Sequence, residues 1–127
     1  MIRPIRQEDM QTVQAILQEN KQMIDGVDYT QWTHPTLVAV KDGEVVGMVQ
    51  ALLGVPYAVV TELSIARQVQ NQGYGTRLIQ HLETALRLAG VSAYVAYVAD
   101  TNESMIEQFE RYGAISTGCG RGFVRRL

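Results

Sequence analysis

The chain has 127 residues, 46% hydrophobic and 19% charged, with a formal net charge of −2. That length fits one domain built on one core, and the near-neutral charge gives no bulk attraction to nucleic acid or an anionic membrane. No apolar run nears the ~20 residues that span a bilayer; Met1-Ile2-Arg3-Pro4-Ile5-Arg6 lacks a signal-peptide core, and Cys119, the only cysteine, suits a reducing cytoplasm.

Ile2 to Arg6 reads as a short strand. Glu8 and Asp9 then suit a helix N-terminus, and Met10, Val13, Ile16, Leu17, Asn20 and Ile24 follow helical spacing. Asp25 to Pro35 is irregular and polar, and holds Tyr29, Trp32 and His34. Thr36 to Val40 and Val45 to Leu53 read as strands joined by an Asp42-Gly43 hairpin turn. After the turn Gly54-Val55-Pro56, Tyr57 to Ile65 is a further strand, and an amphipathic helix runs from Leu78 to Ala89. Gly90 stops that helix, and Ser92 to Val98 is rich in β-formers. Asn102 caps a last helix with Met105, Ile106, Phe109 and Tyr112 on one side and Gly113 at its end. Ile115 to Thr117 and Phe123 to Arg126 close the sheet as a hairpin around a glycine-rich turn that contains Cys119.

Between the strand ending at Ile65 and the following helix lies Gln70-Asn71-Gln72-Gly73-Tyr74-Gly75-Thr76. A strand, a glycine turn and a helix start gather free backbone N–H groups, and the helix dipole adds positive charge there. Two glycines one residue apart let the backbone approach a ligand closely. A diphosphate is the ligand such a turn suits. A Walker loop would need Gly-Lys-Ser/Thr where Gly75-Thr76-Arg77 stands, and a dinucleotide fingerprint would need glycine where Leu78 stands. Both are excluded.

The segment instead resembles the pyrophosphate loop of the GNAT superfamily of N-acetyltransferases, Gln/Arg-x-x-Gly-x-Gly/Ala, through Gln70, Gly73 and Gly75. The order of elements resembles that family over essentially the whole chain. The implied fold is α/β (α+β), GNAT-like: one mixed, mostly antiparallel central sheet of about seven strands flanked by helices. The implied activity is transfer of an acetyl group from acetyl-CoA to an amine. The resemblance places the pantetheine arm of coenzyme A along Leu63, Ser64 and Ile65, and the pyrophosphate on Gln70, Asn71, Gln72, Gly73, Tyr74, Gly75 and Thr76. It also implies a splay of this strand from its neighbour by a bulge, freeing an N–H near Ile65 for the developing oxyanion.

An amine must lose a proton before it attacks, and with a pKa of ~10.4 its neutral form costs about 4.6 kcal/mol at pH 7. Glu62, in the otherwise apolar run Val59-Val60-Thr61-Glu62-Leu63, is the candidate base, since the family often carries an acidic residue on this strand. A solvent-facing strand position is the alternative for Glu62. The family's leaving-group acid is a tyrosine seven residues after an asparagine. Here Asn102 matches the asparagine, but position 109 is Phe109, which has no proton to give. A thiol of pKa ~8.5 leaving as thiolate at pH 7 forgoes only about 2 kcal/mol, so this departure implies slower catalysis rather than none. Water or Tyr112 is left to supply the proton, and Phe109 to pack against the pantetheine.

Asp28, Tyr29 and Trp32, with Asp25 and Glu62, suggest an amine-binding side for a small cation, or for an amine carried by a protein. Ordinary loop residues around a core tryptophan are the alternative. No close His/Cys pairs point to a metal, and the basic C-terminus reads as a solvated edge or a homodimer contact. Two further readings stay open: a coenzyme A-binding sensor without turnover, motivated by Phe109, and a structural partner domain.

Overall fold

The computed structural model describes residues 1–21, 29, 35–97, 103–111, 115–116 and 122–127. In chain order its elements are β1 (Ile2–Pro4), α1 (Met10–Glu19), β2 (Thr36–Lys41), β3 (Glu44–Leu52), β4 (Tyr57–Ile65), α2 (Tyr74–Leu88), β5 (Ala93–Tyr97), α3 (Glu103–Arg111), β6 (Ile115–Ser116) and β7 (Gly122–Arg126). The strands form one seven-stranded sheet, ordered β1-β2-β3-β4-β5-β7-β6. Only the β4–β5 pair is parallel. The mixed, mostly antiparallel sheet read from the sequence is the sheet observed.

Both faces of this sheet are covered, which is why its central strands are apolar at consecutive positions. Adjacent residues of β2 and β3 split between two cores. Val38 and Met48 join Val13, Leu17 and Tyr29 on the α1 side. Ala39 and Val49 join Leu78, Leu82 and Leu86 of α2, with Ala58, Val60, Tyr94, Ala96, Phe109 and Phe123. The i, i+4 spacing of the three α2 leucines keeps them on one buried stripe, each about 1% exposed or less.

Helix α2 begins at Tyr74, four residues before the start read from the apolar periodicity. Gly73 is its N-cap, at φ 89° in the left-handed region, and the polar first turn lies beyond the apolar stripe. The N-terminus is braced separately. Arg3 makes a two-point ion pair with Asp9 at 2.6 and 3.0 Å, and the Arg6 N–H donates to Asp9 at 2.7 Å, ahead of α1. On the other side, buried Glu83 of α2 accepts from the Tyr94 hydroxyl at 2.7 Å and from Arg125 at 3.1 Å, tying α2 to β5 and β7.

Candidate active site

Strand β4 has a different relation to each of its two neighbours. Its parallel pairing with β5 runs from Tyr57↔Ala93 to Val60↔Ala96 and extends no further among the described residues. On its other side the register with β3 shifts after Ala51↔Val60 and resumes at Gln50↔Glu62, so Thr61 is one extra residue, a β-bulge. The Thr61 hydroxyl secures it by donating to Gln50, at 2.9 Å to the side-chain oxygen. The carboxamide of Gln50 in turn donates to Thr36 at 3.2 Å.

The bulge decides which side chains face which core. Ala58 and Val60 pack on the α2 side, and after the extra residue so do Leu63 and Ile65. Glu62 and Ser64 therefore face α1. The backbone follows the same logic. The Ala66 N–H donates to Val46 at 2.8 Å and the Ala51 N–H donates away from β4, to Pro35 at 3.1 Å. In an antiparallel ladder this makes 46/66, 48/64 and 50/62 the hydrogen-bonded pairs. The backbone groups of Leu63 and Ile65 thus point away from β3.

Glu62 meets Tyr29 on the α1 side. Tyr29 is 1% exposed and its hydroxyl has no hydrogen-bond partner; Glu62 Oε2 is buried and has none either. The two groups are close enough to act on each other electrostatically without completing a bond. Burial raises the Glu62 pKa above the ordinary carboxylate value, partly opposed by the Tyr29 hydroxyl. Burial, and then the nearby carboxylate, push the Tyr29 phenol well above its usual range. Buried polar atoms without partners are uncommon, and each costs about 1–3 kcal/mol. Two side by side leave the carboxylate with an unused acceptor.

The loop after β4 is shaped by left-handed residues. Asn71 has φ 65° and Gly73 φ 89°, and a Cβ placed on Gly73 would meet nothing within 4 Å, so this turn opens on free space. The Arg77 N–H already bonds to Gly73 O at 3.1 Å, the first bond of α2. The N–H groups of Tyr74 and Gly75, ahead of it, have no intrahelical acceptor. Lys41 reaches the loop from β2, donating to Gln72 Oε1 at 3.4 Å. Backbone donors, an open approach and a cation are the donor set that a diphosphate fits.

Three residues expected at the ligand have their side chains engaged within the protein. Gln70 donates its carboxamide to Ile65 O at 3.0 Å and to Asn20 Oδ1 at 3.4 Å. Ser64 is buried, its backbone paired toward Met48 and its hydroxyl accepting from Asn20 at 2.7 Å. Phe109 is 2% exposed and stacks on Phe123, ring centroids 5.6 Å apart, so its ring is committed to the core. Asp25, Asp28, Trp32, Asn102 and Tyr112 lie outside the described residues. Sequence reasoning misses Asn20 and Gln50 as site residues: Asn20 enters it only as a helix position, and Gln50 only within the strand Val45 to Leu53. Among the described residues no group of His, Cys, Asp or Glu is arranged to hold a metal, and no helix is long and apolar enough to cross a membrane.

The same architecture recurs in solved structures. The ribosomal-protein-S18-alanine N-acetyltransferase of Escherichia coli superposes with a TM-score of 0.78 at 17% identity, covering 98% of this chain and 90% of its own. The PaiA N-acetyltransferase of Thermoplasma acidophilum, in complex with coenzyme A, gives 0.84 at 15% identity over 100% and 98%. The N-acetylglutamate synthase of Neisseria gonorrhoeae, complexed with coenzyme A and L-arginine, gives 0.83 at 20%, covering 100% of this chain and 33% of its own. At these identities the likeness is one of fold. No curated protein matches the sequence significantly. The family model for the acetyltransferase (GNAT) family matches residues 3–114, and the chain, with its glycine loop between β4 and α2, belongs to that family.

Proposed function

We propose that this chain transfers an acetyl group from acetyl-CoA to a primary amine, with Glu62 removing the amine's proton. The observation that carries the reading is the buried, unbonded Glu62 Oε2, two residues beyond the last β4–β5 pair. Coenzyme A would lie along the end of β4 at Leu63 and Ile65, with its diphosphate on the loop from Asn71 to Thr76 and Lys41 beside it. When bound, acetyl-CoA supplies an activated thioester carbonyl. The Ile65 N–H, directed away from β3, is oriented to donate to negative charge developing there.

Glu62 accepts a proton from the ammonium group, and its raised pKa makes it a stronger base than an exposed carboxylate. Tyr29 lines the amine side with an unspent hydroxyl, together with Asp28 and Trp32 as the sequence suggests. The bulge at Thr61 is what turns Glu62 to that side while leaving Leu63 and Ile65 on the α2 side. The fold does not choose the amine, which a small molecule or a protein could carry. The chain works as one catalytic domain in the cytoplasm under this reading.

The test is acetyl transfer to a panel of primary amines, followed by thiol release, with Gly73→Glu as the control that fills the loop. Turnover in the native chain and none in the variant supports the reading. Saturable binding of acetyl-CoA with no turnover on any amine would instead favour a sensor, the role that Phe109, without a proton to donate, allows.

A further inference from the structure

Asn20 stands just beyond α1 and spends none of its side chain on its own helix. Its carboxamide nitrogen donates to Ser64 Oγ at 2.7 Å and to Ile65 O at 2.8 Å. Its oxygen accepts from Gln70 Nε2 at 3.4 Å, and Gln70 donates again to Ile65 O at 3.0 Å. One residue earlier, Glu19 accepts the Arg67 N–H at 3.2 Å, and its carbonyl takes the Arg67 guanidinium. The last turn of α1 therefore holds both the end of β4 and the chain entering the glycine loop.

We propose that Asn20 is a positioning residue for the acyl-donor site, latching the end of β4 to the base of the diphosphate loop through Ile65 and Gln70. The inference rests on the acyl-CoA reading above. Three features of the latch carry it. The Ile65 N–H is bracketed, because Ser64 before it and the Ile65 carbonyl after it are both held by one carboxamide. Gln70, the first residue of the loop motif, bonds back to Ile65 O and Asn20 as a brace, so its side chain shapes the entry to the loop. Finally, α1 is already anchored by Val13, Ile16 and Leu17, all buried, so the helix does not need Asn20 to stay docked.

Only a donor can serve at this position. Asparagine presents two N–H bonds to two oxygens and an acceptor to Gln70, and aspartate of the same size would set an acceptor against Ile65 O.

The experiment measures binding of coenzyme A by calorimetry for the native chain, Asn20→Ala, Gln70→Ala and the double variant, with Asn20→Asp as an isosteric check. Steady-state kinetics follow on the same proteins. Each single variant should weaken coenzyme A about tenfold, and the double variant should lose little more, since both remove one latch. KM for acetyl-CoA should rise while the acidic limb of the rate profile stays where Glu62 sets it. Unchanged binding in Asn20→Ala and Asn20→Asp, or full additivity with Gln70→Ala, would overturn the assignment. Absence of coenzyme A binding in the native chain would overturn the transferase reading itself, and the latch with it.

Discussion

The Tyr29 hydroxyl and Glu62 Oε2 lie beside one another on the α1 side of β4, both buried and neither hydrogen-bonded. This is an expensive arrangement for a protein to keep, and it makes Glu62→Gln informative in two ways. The raised pKa means that the folded state holds the Glu62 proton more tightly than the unfolded chain does. Stability contributed by this group is present below the unfolded pKa and declines as pH rises through the folded one. Above that window the charged form is a net cost. Glu62→Gln should therefore unfold at a temperature a few degrees higher at neutral pH, while acetyl transfer falls by about 100-fold or more and loses its acidic limb. Thermal melts at pH 4 and pH 8, beside a pH–rate profile, check both halves.

Tyr29→Phe separates packing from chemistry at the same spot. The ring sits among Val13, Leu17, Val38 and Met48, and phenylalanine preserves that contact. With no bond to lose and an unpartnered buried hydroxyl removed, stability should rise by about 1–3 kcal/mol. A rise in KM for the amine without a rise in KM for acetyl-CoA would mark the hydroxyl as an amine contact. Equal kinetics in the two proteins would remove it from the site.

The Arg3–Asp9 pair gives a separate prediction, remote from the site. The Arg3 hydrogen bonds hold the Asp9 pKa below the ordinary value, against an opposing effect of burial, with the Arg6 N–H helping. A depressed carboxylate contributes stability above its unfolded pKa and loses it as pH falls through the folded one. Asp9→Asn should cost about 2 kcal/mol at neutral pH. The difference from the native chain should shrink in acid, below about pH 4. Urea titrations across that range would show it, and a constant difference would contradict the assignment.

Gly47 lies against the end of β4. A Cβ there would stand 2.6 Å from Ile65 Cδ1, 3.2 Å from Ser64 O and 3.4 Å from Leu78 Cδ1. Gly47→Ala must push the Ile65 side chain aside, and the backbone oxygen of Ser64 has little room to yield. We expect a destabilisation of about 1–3 kcal/mol, together with weaker coenzyme A binding. Calorimetry and a melt on one preparation measure the two effects together.

Phe109→Tyr tests the departure from the family's acid. The ring is buried against Phe123, so a hydroxyl there must find its own partner or cost stability. A faster release of thiol near neutral pH, with the advantage fading above the thiol pKa of ~8.5, would show that the position still reaches the reacting end. A slower and less stable enzyme would place it in the core alone.

Much of this fold is legible in the sequence because its signals are local. Asp42-Gly43 fixes the hairpin, Leu78, Leu82 and Leu86 fix the buried face of α2, and Gly73 with Gly75 marks the helix entry. The glycine loop and Glu62 could be named for the same reason, within one continuous stretch of chain. What could not be read is whatever depends on register. Nothing in Val59-Val60-Thr61-Glu62 announces that Thr61 is the extra residue, since a bulge exists only relative to a partner strand. The pairing of Asn20 with Ser64 and Ile65 spans more than forty residues of sequence and is equally invisible. The bonding of Gln70 back to Ile65 and Asn20 escapes notice because the motif says where a loop is, not which way its side chains point.

The extra residue in β4 behaves like a frame-setting letter. Everything before Thr61 is spelled for one side of the sheet, and everything after it is read one position out of phase. Drawing that single threonine into regular alternation would leave composition, charge and motif intact. It would nevertheless turn the carboxylate of Glu62 in among the leucines of α2 and bring Leu63 out onto the α1 side. A mutational scan reads position 61 as an exposed threonine, yet the separation of chemistry from packing depends on that residue standing outside the alternation.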